Sequence, residues 1–446
     1  MKKNNRKGFT TVELVIVIAV IAILAAVLIP TFANLIHKAN VANDTAVARN
    51  LNTAVAMSDG NVDTFEEALA AVRDAGYLIA NLNASAEDCY IIWEDDSNQF
   101  LLYDLKNSKV IYSNTDGYGN PDASWSFAVS SSEVADTIKA SLPNITIKNT
   151  VANPTDLFDV IEGTPAGEEV VIYIDDSFRV DPDQYVVFDK ADSNIVLNLS
   201  GSTVTADYIN GTSPYQVKEG TVTFENGKLN GSSSAESWDE ACTLISGFGD
   251  CNVNVDNTVI TLQANKGEGK NVAILSKYGA NVTVSNTTVY AGNSNPIQCY
   301  GGTLILDNVI VDQTGASEKG YYNSAIQVVN GYGENAQYKA NLTVNSGTYN
   351  GKIAIQISAP GGNVTINGGT FTGTDKVINA DLSKGYYDQG VRSVITINGG
   401  TFNGAIKVSD YTELVINGGT FTVNPTEWLG EGHTVTANSN GTYTVK

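Results

Sequence analysis

Asn363-Val364-Thr365-Ile366-Asn367-Gly368-Gly369-Thr370-Phe371 is the stretch on which the fold of this chain turns. Apolar and polar side chains alternate over its first four residues, the period of a strand with one buried face, and Asn-Gly-Gly then supplies a turn. The pattern recurs at 341–349, 394–402 and 413–421, which sets Asn345, Asn367, Asn398 and Asn417 apart by 22, 31 and 19 residues. Weaker copies run over 196–205, 222–230, 253–262, 282–290 and 304–311. Strand-sized units with inserted loops and no helices between them predict a solenoid of stacked coils. In such a stack Val364 and Ile366 face inward, and each coil lies about 4.8 Å from the next by parallel pairing. Aligned positions then meet their own copies: Tyr349, Phe371, Phe402 and Phe421 as an aromatic ladder, and the four asparagines as an amide ladder at a glycine-tightened turn. Residues 154–161, just ahead of the strand 170–174, read as a short helix capping the first coil.

Over residues 145–446 this arrangement resembles the right-handed parallel β-helix of the pectate lyase-like superfamily. The resemblance implies a fold and leaves the activity open, because that fold carries lyases, hydrolases, adhesins and phage tailspikes. A lyase would need a calcium-binding acid cluster and a basic residue beside it, and a hydrolase two or three acids on one face. Here Asp250, Asp256, Asp307 and Asp312 come one per coil, and Asp175 and Asp176 alternate to opposite faces of a strand. Arg392 is the only arginine after Arg179, and only Asp388 lies near it in sequence. The expectation is therefore a non-enzymatic solenoid, with no catalytic residue, metal or cofactor. Two inserted loops, Lys319-Gly320-Tyr321-Tyr322 and Lys384-Gly385-Tyr386-Tyr387, offer paired aromatics for stacking on a glycan, packing onto the coil being the other reading.

The other end of the chain has a different character. Lys2, Lys3, Arg6 and Lys7 precede a run from Phe9 to Ile29 whose only charge is Glu13. That is a membrane-inserting segment with its basic end in the cytoplasm. A secretory signal peptide also opens this way, but an acid inside its apolar run would cost roughly 3 kcal/mol. The run also continues past Pro30 into a helix with Leu35, Ile36, Ala39, Ala42, Ala46, Val47, Leu51, Ala54 and Val55 at helical spacing.

Gly8-Phe9-Thr10-Thr11-Val12-Glu13-Leu14, the apolar run and Pro30 together resemble the N-terminus of the type IV prepilins and pseudopilins. Thr11 and Val12 replace the commoner Leu and Ile and leave the cleavage motif intact. The resemblance implies cleavage by prepilin peptidase after Gly8, N-methylation of Phe9, and packing of the long helix with other pilin or pseudopilin subunits. The new ammonium at Phe9 is a natural partner for Glu13 of a neighbouring subunit. Loss of the leader would remove four positive charges from a chain already at −22.

Between helix and repeats, Asp63 and Thr64 open a short helix that Gly76 ends, and 89–93, 100–104 and 109–112 alternate as hairpin strands. This segment resembles a pilin head in order and size. The expected organisation is mainly β: a leader (1–8), a transmembrane and filament-core helix (9–60), an α+β head (61–125), a linker (126–144) and the β-helix (145–446). Asn114, Asp116, Asn120 and Asp122 do not follow the spacing of a calcium loop and read as solvated.

Composition narrows the function. Lys+Arg number 26 against Asp+Glu 48, which disfavours a nucleic-acid partner. His37 and His433 are the only histidines, so a multi-histidine zinc site is excluded. Of the four cysteines, Cys242 and Cys251 could close a loop by a disulfide in an oxidising setting, the alternative being buried small hydrophobes. The reading is a single-pass precursor of the inner or cytoplasmic membrane that becomes a minor or tip subunit of a surface filament or pseudopilus. Its β-helix would serve adhesion or bind an extracellular glycan or protein. A surface-anchored polysaccharide lyase or hydrolase and a DNA-uptake pseudopilin are the rivals.

Overall fold

The computed structural model describes residues 11–58, 61–77, 84–114, 124–129, 138, 142, 145–182, 184–208, 213–233, 241–263, 270–292, 295–313, 324–331, 333–381 and 391–446. The chain divides into two compact units, with the main boundary between Lys148 and Asn149.

The first unit begins with the 47-residue helix α1 (Thr11–Met57), followed by α2 (Phe65–Asp74). A capping box starts α2: the Glu67 N–H donates to the Thr64 hydroxyl, and the Glu67 carboxylate accepts the N–H groups of Thr64 and Asp63. Four antiparallel strands follow, β1 (Cys89–Glu94), β2 (Gln99–Asp104), β3 (Lys109–Tyr112) and β4 (Trp125–Val129), in spatial order β4-β1-β2-β3. Asn98 and Ser108 take left-handed φ of 51° and 50° in the two hairpin turns. Both faces of the sheet are covered. Trp93, Phe100 and Leu102 pack with Leu51 of α1 and Phe65, Leu69 and Val72 of α2. On the opposite face Ile92, Leu101 and Phe127 pack with Ile138 and Ile145. The span 126–144, expected as a linker, thus supplies a strand and part of a core. Five residues of alternation, Trp-Ser-Phe-Ala-Val, are too short to stand out in sequence.

The second unit is built of three parallel ladders. The first joins Glu169–Ile174, Asn194–Asn198, 221–225, 252–256, Asn281–Ser285, Thr303–Asp307, Asn341–Val344, Asn363–Ile366, Ser393–Ile397 and Thr412–Ile416. The second runs from Phe178–Val180 through 347–350, 370–373 and 401–403 to Gly419–Phe421. The third runs from Val186–Phe188 through Tyr215–Val217, Ala241–Phe248, Lys270–Lys277 and Ile297–Tyr300 to 405–408. Inward side chains of all three, such as Val364, Phe371 and Ile378, belong to one hydrophobic cluster.

The aligned positions meet as the repeat requires. Tyr349, Phe371, Phe402 and Phe421 stack with centroids 5.0, 4.9 and 4.8 Å apart and nearly parallel planes. Asn367, Asn398 and Asn417 each donate from Nδ2 to Oδ1 of the asparagine one coil earlier, at 3.0 Å in every case. Gly400 sits at φ 110°, where an added Cβ would lie 2.9 Å from the Gly369 carbonyl, so this turn needs glycine.

A different element lies at the beginning and at the end of the ladders. Helix α3 (Pro154–Gly163), N-capped by Asn153, buries Leu157 and Ile161 against the first coils. At the other end Tyr443–Val445 pairs antiparallel with both Gly419–Phe421 and Val435–Ala437. Cys251 is a free, buried thiol that donates to the Val217 carbonyl at 3.3 Å, so the disulfide with Cys242 is not formed. Burial raises the pKa of Cys251 to about 11 and that of Cys299 to about 12.

Candidate functional site

The feature that sets this chain apart is what α1 leaves uncovered. Its apolar stretch is long and hydrophobic enough to cross a membrane, and none of it is buried. Val12, Ile23, Val27 and Ile29 are each about two-thirds exposed, far above what a soluble surface tolerates as a continuous patch. At about 1.5 Å per residue, 47 residues extend roughly 70 Å, more than twice the hydrocarbon thickness of a bilayer. Glu13 lies in the first turn, where the helix dipole favours a carboxylate, and is the only ionisable side chain between Thr11 and Ile36. Pro30 lies inside the continuous helix and cannot donate to the Ala26 carbonyl, while the neighbouring Thr31 hydroxyl donates to Val27 O at 2.8 Å.

The C-terminal part of α1 is held to the head by polar side chains. The Asp44 carboxylate accepts the backbone N–H groups of Ser85 and Ala86 at 2.9 and 2.8 Å, and Asn40 donates to the Ser85 carbonyl at 3.0 Å. Asn52 both accepts from the N–H of Phe100 and donates to its carbonyl. The Arg49 guanidinium lies over the Tyr112 ring, 5.7 Å from its centroid. The buried face is therefore Asp44, Ala48, Leu51, Asn52 and Ala54. Of the stripe expected from apolar spacing, Leu51 and Ala54 are buried, Val47 and Val55 are partly buried, and Leu35, Ile36, Ala39, Ala42 and Ala46 are exposed. The i, i+4, i+8 series Asp44, Ala48, Asn52 carried the signal, hidden because two of its members are polar.

Gly8 and Phe9 lie outside the described residues, as do Tyr321, Tyr322, Tyr386 and Tyr387 and the acids of the 115–123 loop. Two acids of the second unit do meet: Glu225 and Asp256 are register partners on neighbouring strands, and burial, with the Asp256 charge behind it, raises the Glu225 pKa while Asn198 donates to its carboxylate. Asp256 accepts from Ser285 and Asn286 at 2.6 and 3.0 Å, and Asp307 accepts from Ser346 at 2.6 Å. Asp175 is buried while Asp176 and Arg392 are exposed. Among the described residues no three His, Cys, Asp or Glu side chains converge as metal ligands would.

The family described as the prokaryotic N-terminal methylation motif matches residues 3–29. The type IV wide pilus major component PilA4 of Thermus thermophilus is 62% identical over 52 residues, 12% of this chain and 37% of that protein. The type IV narrow pilus major component PilA5 of the same organism is 46% identical over 52 residues, 12% of this chain and 45% of that protein. A fimbrial protein of Moraxella nonliquefaciens is 39% identical over 64 residues, 14% of this chain and 42% of that one. The matches thus span less than half the length of each relative. No solved structure matches the chain.

Proposed function

We propose that this chain is made as a single-pass precursor in the inner or cytoplasmic membrane, cut after Gly8 by prepilin peptidase and methylated at Phe9. It then joins a type IV pilus-like filament or pseudopilus as a minor or tip subunit, its α1 packed among the helices of other pilin subunits. The observation that carries this reading is the division of α1 into an uncovered apolar part and a part anchored in the head by Asp44 and Asn52. A helix so divided can leave the bilayer for a bundle of like helices without disturbing its own head. The pilin-like N-terminal segment supports the same reading. A chain of 446 residues favours the minor role, since bulk subunits must pack at the spacing of their helices.

The second unit closes, on this reading, into a right-handed parallel β-helix that the filament presents for adhesion or for a glycan or protein ligand. Three parallel ladders around one apolar cluster support it. The unit acts by binding rather than catalysis, supported by the Ser and Asn side chains that occupy the carboxylates of Asp256 and Asp307. The test is mass spectrometry of sheared surface material. A chain beginning at N-methylated Phe9 is expected; an intact Met1 or a cut near Ala26 overturns the assignment.

A further inference from the structure

Where the third ladder turns toward the first, successive coils place aromatic rings around one lysine. Phe248, Lys277 and Tyr300 end the strands Ala241–Phe248, Lys270–Lys277 and Ile297–Tyr300; Tyr278 directly follows Lys277, and Tyr338 precedes the strand Asn341–Val344. The Tyr278 ring lies 5.6 Å from Phe248, 5.1 Å from Tyr300 and 5.4 Å from Tyr338, centroid to centroid. Lys277 Nζ is 5.5, 4.9 and 5.7 Å from the centroids of Phe248, Tyr278 and Tyr300. These rings are outside the core: Phe248 is 47% exposed, and Tyr278, Tyr300 and Tyr338 are half-buried.

The backbone positions the group at some cost. Tyr278 has φ 49°, a conformation uncommon for a bulky residue, and its N–H donates to the Tyr300 carbonyl at 3.0 Å. Gly301, at φ 66°, admits the Tyr338 backbone so closely that an added Cβ would lie 2.9 Å from Tyr338 Cβ. Among the described residues Lys277 takes part in no ion pair, although the chain carries 48 acids against 26 bases. Burial lowers its pKa, and among the described residues no carboxylate offsets that desolvation.

We propose that Phe248, Tyr278, Tyr300, Tyr338 and Lys277 form a binding site for an acidic saccharide, the rings taking a sugar's CH face and the ammonium its carboxylate. A group of half-exposed rings suits a chain of pyranose units, each with an apolar face and polar edges. A peptide adding as a strand finds no edge here, because Lys270–Lys277 is paired on both sides. A polyphosphate would bring several charges to an acidic surface, whereas one carboxylate per unit meets one cation. The inference deepens the binding role proposed for the second unit and rests on it.

The test is calorimetry of the full-length protein in detergent against hyaluronan hexasaccharide, a mannuronate hexamer and sialyllactose, with chitohexaose and lactose as neutral counterparts. At least one acidic probe is expected to bind more tightly than either neutral one. Its affinity should fall tenfold or more in Lys277→Met, which keeps the aliphatic stem, and in Tyr278→Ala. Tyr338→Ala, at the edge of the cluster, serves as the aromatic variant should Tyr278→Ala fail to fold. Absence of binding by all three acidic probes, or binding indifferent to these substitutions, overturns the site. Protein found in filaments with methylated Phe9 that binds no probe overturns this inference alone. Protein that binds but never enters filaments overturns the filament reading alone.

Discussion

Asn52 of the long helix and Phe100 of the head sheet exchange two hydrogen bonds, Phe100 N–H donating to Oδ1 at 2.7 Å and Nδ2 donating to the Phe100 carbonyl at 2.9 Å. The ladder between β2 and β3 ends at Leu102, and the asparagine amide takes over as a substitute strand one pair further along. A helix joined to a sheet by backbone recognition has a fixed register as well as a fixed face.

Replacement of Asn52 by Leu keeps the branched shape and removes the partner of both a buried N–H and a buried carbonyl. The head should lose roughly 2 kcal/mol or more, read as a lower denaturation midpoint and faster exchange of the Phe100 amide. An unchanged midpoint would show that water replaces the side chain at no cost.

Phe402 is stacked on both sides, by Phe371 and Phe421, whereas Phe421 has one stacked neighbour and then meets Tyr443 across an antiparallel pair. Phe402→Ala should therefore cost about 3–5 kcal/mol and exceed the cost of Phe421→Ala, measured by chemical denaturation of the two variants side by side. Equal losses would mean that the end of the stack is as tightly packed as its middle.

Cys299 links stability to pH. Burial raises its pKa from 9.0 to about 12, so the folded state holds this proton more tightly than the unfolded chain does. The stabilisation is complete below the unfolded value and is lost as pH rises toward the folded one. Between about pH 9 and pH 12 the parent should lose stability more steeply than Cys299→Val, which has no proton to release. Parallel pH profiles would contradict this. Iodoacetamide at about pH 8 should also leave Cys251 and Cys299 of the folded protein unmodified.

Glu13→Ala should leave membrane insertion and cleavage after Gly8 intact while removing the protein from filaments, since the proposed partner of Glu13 is the Phe9 amine of another subunit. Immunoblotting of sheared filaments against the membrane fraction is the measurement. Normal incorporation of the variant would exclude an assembly role for this carboxylate.

The repeat region was readable because stacking turns sequence alignment into spatial contact. Asn367 over Asn345 and Phe371 over Tyr349 are the same statement in sequence and in space. The anchoring of α1 was not readable, because Asp44 binds the backbone of a distant turn and Asn52 that of a distant strand, and a polar residue leaves no mark in an apolar period. Trp125–Val129 was hidden for a related reason: its partner Cys89–Glu94 lies some thirty residues earlier, and nothing local announces the pairing. Phe248, Tyr278, Tyr300 and Tyr338 form one group only after inserts of unequal length have been folded away, so they show no period at all.

The antiparallel strand Tyr443–Val445 gives the second unit its finite length. A parallel ladder carries no internal instruction to stop, and a bare last coil would accept another chain as readily as its own. With α3 packed on the first strands and this reversed strand paired to Gly419–Phe421, parallel addition is blocked at both places while the rungs between them repeat. Deletion of one whole coil, 22 residues from Asn341 up to Asn363, brings equivalent side chains face to face again and shortens the stack by about 4.8 Å. The reach of such a molecule can therefore change by whole coils, with neither end redesigned.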